Sequence, residues 1–182
     1  MNIYGAKELA ASFRTVRKNT IIIAGEIDEQ HYGFRATPET RTVAQMLIHL
    51  AMSTTFPYQI HAVEHLASFE GFDFMAFFGN LMAEEQTPRS KHHIVAMLQE
   101  NGDEFAKWLE GLSDEFLAER VKMMPGMTPP DKTRFEMLLG VKEHEMHHRA
   151  QLMLVERMVG IVPHLTREAN ARMAAMQSAA KA

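Results

Sequence analysis

Apolar residues recur every three or four positions in four long stretches of the chain. The stretches run from residue 3 to about 29, from Thr37 through Pro57, from Thr87 to Leu112, and from Asp131 to Gly160. This spacing places the apolar side chains on one face of an α-helix, and Thr37, Thr87 and Asp131 are the predicted N-caps. Four amphipathic helices with their connections predict an all-α protein, a four-helix bundle of the up-down-down-up type with short extra helices.

Three further segments complete the predicted fold. Residues 71–86 are rich in Phe and Met and indicate a short helix or a lid, with aromatic side chains in the core or lining a pocket. Residues 121–130 contain three prolines and a glycine and predict a loop or short hairpin. The segment after Pro163 predicts a C-terminal helical tail, loosely attached from about residue 164. No linker or repeat divides the chain, so we expect residues 1–182 to form one domain.

The fourth helix carries two histidines one turn apart in its predicted inward stripe. That stripe consists of Met137, Val141, His144, His148, Gln151, Val155 and Met158. Neutral imidazoles at the spacing of His144 and His148 can bind one metal ion. The alternative is a pair of core histidines that are hydrogen-bonded to backbone or carboxylate groups.

His49 occupies a similar inward row of the second helix. With His144 and His148 it could complete a triad around one divalent ion, although His147, one residue over, could replace His148. Beyond Pro57, His61 and His65 repeat the four-residue spacing. They would face away from His49 on a continuous helix, and we predict that both lie at the surface.

Two local motifs suggest other metal chemistry. His144 to His148 read as H-E-x-x-H, the zinc protease motif in which Glu145 would be the general base and Glu168 a third ligand. We disfavour it because Pro163 separates Glu168 from the histidine helix. Glu145 and His148 also have the Glu-x-x-His spacing of di-iron bundles, but the sequence lacks the second such motif.

Composition and charge narrow the classes of function. The chain of 182 residues is 46% apolar, has a net charge of −4 and contains no basic block, which argues against nucleic-acid binding. No apolar run approaches the roughly 18 residues of a membrane span, so we expect a cytoplasmic protein. Cysteine is absent. There is consequently no cysteine nucleophile, and any thiol in the chemistry must arrive as a substrate.

Two segments together resemble a known family. HEMHHRAQLMLVERMVGIVPHLTR resembles the last-helix motif of the DinB-like metal-binding bundles, His-x3-His-Arg-Gly-Gln followed by an apolar helix, a Gly and a Pro. YGFRATPETRTVAQMLIHLA, residues 32–51, is similar to the family's entry into its second helix, which ends in a ligand histidine. Ala150 departs from the family pattern, which usually has Gly there. The resemblance maps His49, His144 and His148 onto the family's metal triad.

The resemblance also implies a class of reaction. Several members are transferases or isomerases that use bacillithiol, mycothiol or glutathione, so we expect a metal-dependent transferase with Zn or Ni, a small-molecule thiol and an electrophile. Alternatives are a metal-dependent hydrolase that activates water and a non-catalytic metal-binding bundle. A homodimer is compatible with each. Gln151, which shares the inward row, and Glu145 are the candidate catalytic residues.

Overall fold

A computed structural model describes residues 4–181, mostly as helices. The helices are α1 (Ala6–Glu26), α2 (Val43–Met52), α3 (Thr55–Tyr58), α4 (Phe74–Gln86), α5 (Lys91–Glu110), α6 (Asp114–Ala118), α7 (Arg134–Met158) and α8 (His164–Ala179). A 3₁₀ turn spans Glu29–His31 and a π-helical turn spans Gln59–Val63. Strands β1 (Arg120–Lys122) and β2 (Asp131–Thr133) pair antiparallel, so the predicted loop or hairpin is a hairpin. Residue 3, where the first helix was predicted to start, lies outside the described residues.

The four main helices α1, α2, α5 and α7 form the predicted bundle. Both α1 and α2 pack against α5 and against α7. One buried cluster takes residues from all four helices, with Ile23, Leu47, Leu98 and Leu152 as examples. A second cluster, which includes Phe13, Phe105 and Leu138, joins α1, α5 and α7. Within residues 4–181, no helix combines the length and apolar character that crossing a bilayer requires.

The second helix begins later than the sequence predicted. Thr37 opens a turn instead, in which its carbonyl accepts a hydrogen bond from the Thr40 amide. Thr42 is the N-cap of α2, because its hydroxyl accepts from the Gln45 amide while the Gln45 side chain accepts from the Thr42 amide. This reciprocal capping satisfies two amides at the helix start, which Thr37 followed by Pro38 does not achieve.

Two other predicted N-caps are also wrong for the same physical reason. Ser90, rather than Thr87, caps α5 by accepting from the His93 amide. Asp131 lies in β2, and Thr133 caps α7 through a capping box with Glu136. In each case the side chain next to the helix satisfies its free amides, and the residue predicted from the sequence lies two or three positions too early.

Helix α7 is rotated relative to the inward stripe that the sequence predicted. Its buried residues are Arg134, Leu138, Val141, Glu145, Leu152 and Glu156. His144 and His148 are half-buried at the margin of this face, and Gln151 and Met158 are exposed. The prediction failed because charged side chains occupy buried positions, which an apolar pattern does not identify.

The buried charge at the centre of α7 meets a buried charge on α1. Arg17 Nε lies 2.9 and 3.0 Å from the two carboxylate oxygens of Glu145. The two terminal nitrogens of Arg17 donate to the carbonyls of Leu98 and Leu50, each at 2.9 Å. One guanidinium therefore links α1 to α7, α5 and α2. Gly102 makes room for it, since a Cβ there would lie 2.8 Å from Arg17 Cγ.

Helix α8 meets α1 through its first turns. Arg167 forms an ion pair with Glu26, and His164 Nε2 lies 3.3 Å from Asn19 Oδ1. Beyond these contacts, residues 170–181 are exposed.

We predict that Arg17→Met lowers the free energy of unfolding by about 3–5 kcal/mol, because it leaves a buried carboxylate without its counter-charge. Urea denaturation measures the change. Arg14→Met is the matched control, since Arg14 lies on the same helix and pairs with Glu110 in solvent, where an ion pair contributes little. Equal losses in the two variants would contradict the central role of Arg17.

Candidate metal centre

The bundle brings three histidines from two helices to one point. His49 comes from α2, and His144 and His148 come from successive turns of α7. Their ring centroids lie 4.6 to 4.9 Å apart, and His49 Nε2 lies 3.0 Å from His144 Nε2. One ring nitrogen of each lies within 4.8 Å of the others, with all three residues half-buried. These are the three histidines that the sequence predicted would converge.

A buried carboxylate fixes the orientation of His49. Its Nδ1 lies 2.7 Å from Glu85 Oε1. Because a carboxylate only accepts, Nδ1 carries the proton and Nε2 presents its lone pair to the other two histidines. Glu85, on α4, is only 7% exposed. This carboxylate–histidine arrangement is the one that holds and orients histidine ligands in many metal sites.

Arg41 keeps Glu85 ionised. Its Nε donates to Glu85 Oε2 at 2.6 Å, and a terminal nitrogen lies 3.3 Å from Oε1. Burial opposes ionisation of Glu85, but the hydrogen bonds from Arg41 and His49 outweigh it and lower the pKa of the carboxyl. Gln45, in the first turn of α2, donates to Gln86 at 2.7 Å and holds the end of α4 beside α2. The local fold thus delivers a charged acceptor to His49.

Gln151 performs a similar positioning for His148. Its side-chain oxygen lies 3.0 Å from His148 Nδ1, and its nitrogen lies 3.2 Å from His147 Nε2. If the oxygen accepts from Nδ1, His148 Nε2 is left free as a ligand. His147 is exposed and directs Nε2 toward Gln151. The structure therefore groups His148 with His49 and His144, and it places His147 outside the cluster.

All three histidines favour the neutral form. Burial is the main cause in each, and together with the neighbouring His148 and His49 it lowers the pKa of His144 to about 4. The pKa values of His49 and His148 are lowered as well, although Glu85 and Gln151 act against the shift. The three rings are uncharged at neutral pH, which is the state that binds a cation.

The separation of the His49 and His144 ring nitrogens fits a divalent ion. Two nitrogens that bind one ion at about 2.1 Å lie roughly 3.0 to 3.4 Å apart when the angle between the bonds is about 90° to 110°. The 3.0 Å separation of the Nε2 atoms of His49 and His144 falls in this range. Three imidazoles suit Zn or Ni better than Mg or Ca, which prefer oxygen ligands. His49, His144 and His148 are the residues that would hold the ion.

A cavity of about 320 Å³ adjoins the cluster. Its walls belong to α2, α3, the π-helical turn, α4 and α7. The lining residues are His49, Ser53, Phe56, Pro57, Ile60, His61, Phe78, Met137, Gly140, Val141 and His144. Residues 71–86 were predicted as a short helix or a lid; Phe74–Gln86 form helix α4, and Phe78 from it lines part of the cavity. A small molecule in this space would lie against two of the three histidines.

The remaining residues that the sequence singled out lie elsewhere. Glu145, a catalytic candidate, is fully buried with both oxygens bonded to Arg17. His65 is exposed and pairs with Glu119, as predicted for a surface histidine. The surface prediction is wrong for His61, which is 1% exposed and bonded to Arg134. Its segment does not continue α2 as a regular helix, so the angular argument from His49 does not apply.

The sequence did not identify Arg41 and Glu85 as site residues. Glu84 and Glu85 are adjacent in an acidic pair, and no local pattern distinguishes the buried one from the exposed one. The role of Glu85 arises from the packing of α4 against α2, which is a tertiary contact. Only its position within residues 71–86, a segment predicted to lie in the core or to line a pocket, could have drawn attention to it.

A family model matches most of the chain. The model describes the DinB superfamily and matches residues 12–152. No curated protein sequence matches the chain significantly.

Several solved structures share the fold. YfiT from Bacillus subtilis, described as a probable metal-dependent hydrolase with an unusual four-helix bundle topology, aligns with a TM-score of 0.67 at 17% identity, covering 88% of this chain and 91% of that one. The DinB-like protein YjoA from Bacillus subtilis aligns with a TM-score of 0.62 at 17% identity, covering 84% and 92%. A Streptococcus pneumoniae protein aligns with a TM-score of 0.67, also at 17% identity, covering 87% and 94%. At identities this low, the structural similarity shows a shared fold and nothing beyond it.

We predict that the protein retains about one divalent ion per chain and that His144→Ala loses it, because two histidines hold an ion more weakly than three. Elemental analysis after dialysis measures the content, and a chelator should lower the melting temperature of the wild type but not that of His144→Ala. His147→Ala is the control and should keep its ion. Equal metal content in His144→Ala and the wild type would remove the assignment.

We predict that Glu85→Gln weakens zinc affinity roughly ten- to hundredfold, because a neutral amide polarises and orients His49 less well than a carboxylate. Competition with a zinc-binding dye measures the affinity. Glu84→Gln is the matched control, since Glu84 is the preceding residue and pairs with Arg89. The role of Glu85 would be refuted by equal affinities in Glu85→Gln and Glu84→Gln.

Proposed function

Because the chain belongs to the DinB superfamily, we propose that it is a metal-dependent enzyme in which His49, His144 and His148 hold one divalent ion, Zn or Ni, beside a substrate cavity. The observation that carries this proposal is the position of the histidine cluster in the cavity wall. An ion that served only to stabilise the fold would need no adjoining space. Here the cavity of about 320 Å³ reaches two of the ligand residues.

The chemistry supplied by the bound ion follows from its charge. Three neutral histidines leave a divalent cation its full positive charge, which lowers the pKa of a thiol or water molecule bound to it. The protein's own groups do the positioning. Glu85 fixes the ring of His49 and Gln151 fixes the ring of His148, while the cavity beside them has mainly apolar walls.

We propose a thiol as the activated group. The protein has no cysteine, so a low-molecular-weight thiol would enter as a substrate and, as the thiolate, attack an electrophilic small molecule. The resemblance of the two histidine segments to the DinB-like family, several members of which are thiol-dependent transferases, supports this choice. In this reaction a new carbon–sulfur bond forms at the electrophile, and its leaving group departs with the electron pair of the broken bond.

A metal-dependent hydrolase is the second candidate. The description of YfiT as a probable metal-dependent hydrolase favours it, because the two chains share the same fold. The same histidines would serve, with water in place of the thiol. Dependence on an added thiol separates the two activities.

We predict that metal-stripped protein gains activity when Zn or Ni is restored, and that turnover of a chromogenic aryl halide requires an added thiol. Glutathione, bacillithiol and mycothiol are the thiols to compare, and a nitrophenyl ester without thiol tests the hydrolase. His144→Ala should be inactive in both assays, and His147→Ala should resemble the wild type. Hydrolysis that is metal-dependent and thiol-independent would replace the transferase with the hydrolase. Failure of every combination to depend on metal would refute both.

A further inference from the structure

A buried histidine that is outside the metal cluster also lines the cavity. His61, in the π-helical turn after α3, is 1% exposed. Its Nδ1 lies 2.8 Å from a terminal nitrogen of Arg134, the first residue of α7. Arg134 is itself buried and also donates to Glu119 and to the Leu66 carbonyl. The position of the His61 ring is therefore fixed from the side of Nδ1.

This contact determines which nitrogen of His61 carries the proton. A guanidinium has only donors, so Nδ1 must accept and cannot be protonated. Burial, the charge of Arg134 and the proximity of His65 lower the pKa of His61 to about 4, which keeps the ring neutral at neutral pH. A neutral imidazole whose Nδ1 is unprotonated has its proton on Nε2.

The Nε2–H group lacks a partner. Among residues 4–181 no group hydrogen-bonds to it, although the nitrogen is buried. Buried donors in folded proteins are nearly always paired, so an unpaired one calls for an explanation. His61 lines the cavity together with His49 and His144. A molecule in the cavity is a partner that the fold leaves room for.

The rest of the cavity restricts what that molecule can be. None of the residues that line it carries a fixed charge, and Phe56, Ile60, Phe78, Met137 and Val141 give it aromatic and aliphatic walls. The hydroxyl of Ser53 donates to the Leu50 carbonyl at 2.8 Å, so it offers only lone pairs to a ligand. Apart from the ion proposed at the histidine cluster, these walls suit a neutral, mainly apolar molecule.

We propose that His61 is a specificity-determining residue whose Nε2–H donates a hydrogen bond to an oxygen acceptor, such as a carbonyl, of a neutral aryl or alkyl substrate that fills the cavity. This inference rests on the proposed function in taking the cavity as the substrate site. It concerns binding by His61, however, and does not require the ion to be present. The substrate class that it names is neutral, mainly apolar molecules with an oxygen acceptor, and carbonyl compounds are the example.

Two ligands of nearly equal shape test the hydrogen bond. Acetophenone carries a carbonyl oxygen where α-methylstyrene carries a methylene group, and binding of each to the metal-free protein is measured by NMR titration. In His61→Asn the amide oxygen can accept from Arg134, as Nδ1 does, but no donor occupies the Nε2 position. We expect the ratio of acetophenone to α-methylstyrene affinity to fall about three- to tenfold in His61→Asn. His65→Asn, the control at the exposed neighbour, should keep the wild-type ratio.

A second measurement uses the wild type, so it does not require His61→Asn to fold. Nitrogen NMR of the wild-type ring should find the proton of His61 on Nε2, and acetophenone but not α-methylstyrene should shift that nitrogen. An unchanged affinity ratio in His61→Asn, or a proton on Nδ1, would overturn the proposal. Failure of both ligands to bind the wild type would overturn it as well.

The test is separable from that of the proposed function. His61→Asn should retain the wild-type metal content, because His61 is not among the clustered ligands. A protein without metal-dependent turnover whose affinity ratio still depends on His61 would refute the enzyme and support this inference. Metal-dependent turnover together with an unchanged affinity ratio in His61→Asn would support the enzyme and refute this inference.

Discussion

The arrangement of the candidate site depends on the hydrogen bonds made by the buried guanidinium of Arg17. The guanidinium holds the side chain of Glu145 and the carbonyl of Leu50. These residues directly follow His144 and His49 in the chain, so one side chain fixes the two helices that bring the histidines together. Since Glu145 must face α1, the rotation of α7 is set, and His144 is directed toward α2 about 100° away. A buried ion pair contributes less to stability than its distances suggest, but here it specifies a geometry.

The charged groups around the cluster lie behind the histidines rather than among them. Arg41 and Glu85 neutralise each other on the α4 side, and burial keeps the rings of His49, His144 and His148 in the neutral form. A carboxylate placed directly in the cluster would reduce the net charge of a bound cation and weaken its effect on a thiol or water. With Glu85 one hydrogen bond away, the carboxylate orients the ring of His49 and increases its basicity, and the charge of a bound cation would be preserved.

The sequence predicts the helices and the pairing of His144 with His148 from local periodicity, whereas His49 joins them through the family resemblance. His144 and His148 are four residues apart on a helix whichever way it is rotated, so their pairing survived an error in the rotation of α7. That error came from Glu145 and Glu156, buried charges that the pattern assigns to solvent. The roles of Glu85 and His61 were inaccessible for a different reason. Each is defined by a partner distant in the chain, Arg41 and Arg134 respectively, and one sequence contains no signal for such pairs.

The two buried arginines together explain why the site can be rigid in a bundle rich in flexible methionines. Arg134 anchors the first residue of α7 to the segment that carries His61, and Arg17 anchors the middle of α7 to the other three bundle helices. The residues of α7 that line the cavity, from Met137 to His144, lie between Arg134 and Glu145, the partner of Arg17. Rotation or sliding of α7 would therefore break several buried hydrogen bonds at once, each expensive to leave unmade. His144, His148 and the Arg134 that holds His61 all belong to this anchored helix. The candidate site would therefore keep its geometry before any ligand enters, which favours selective binding and catalysis.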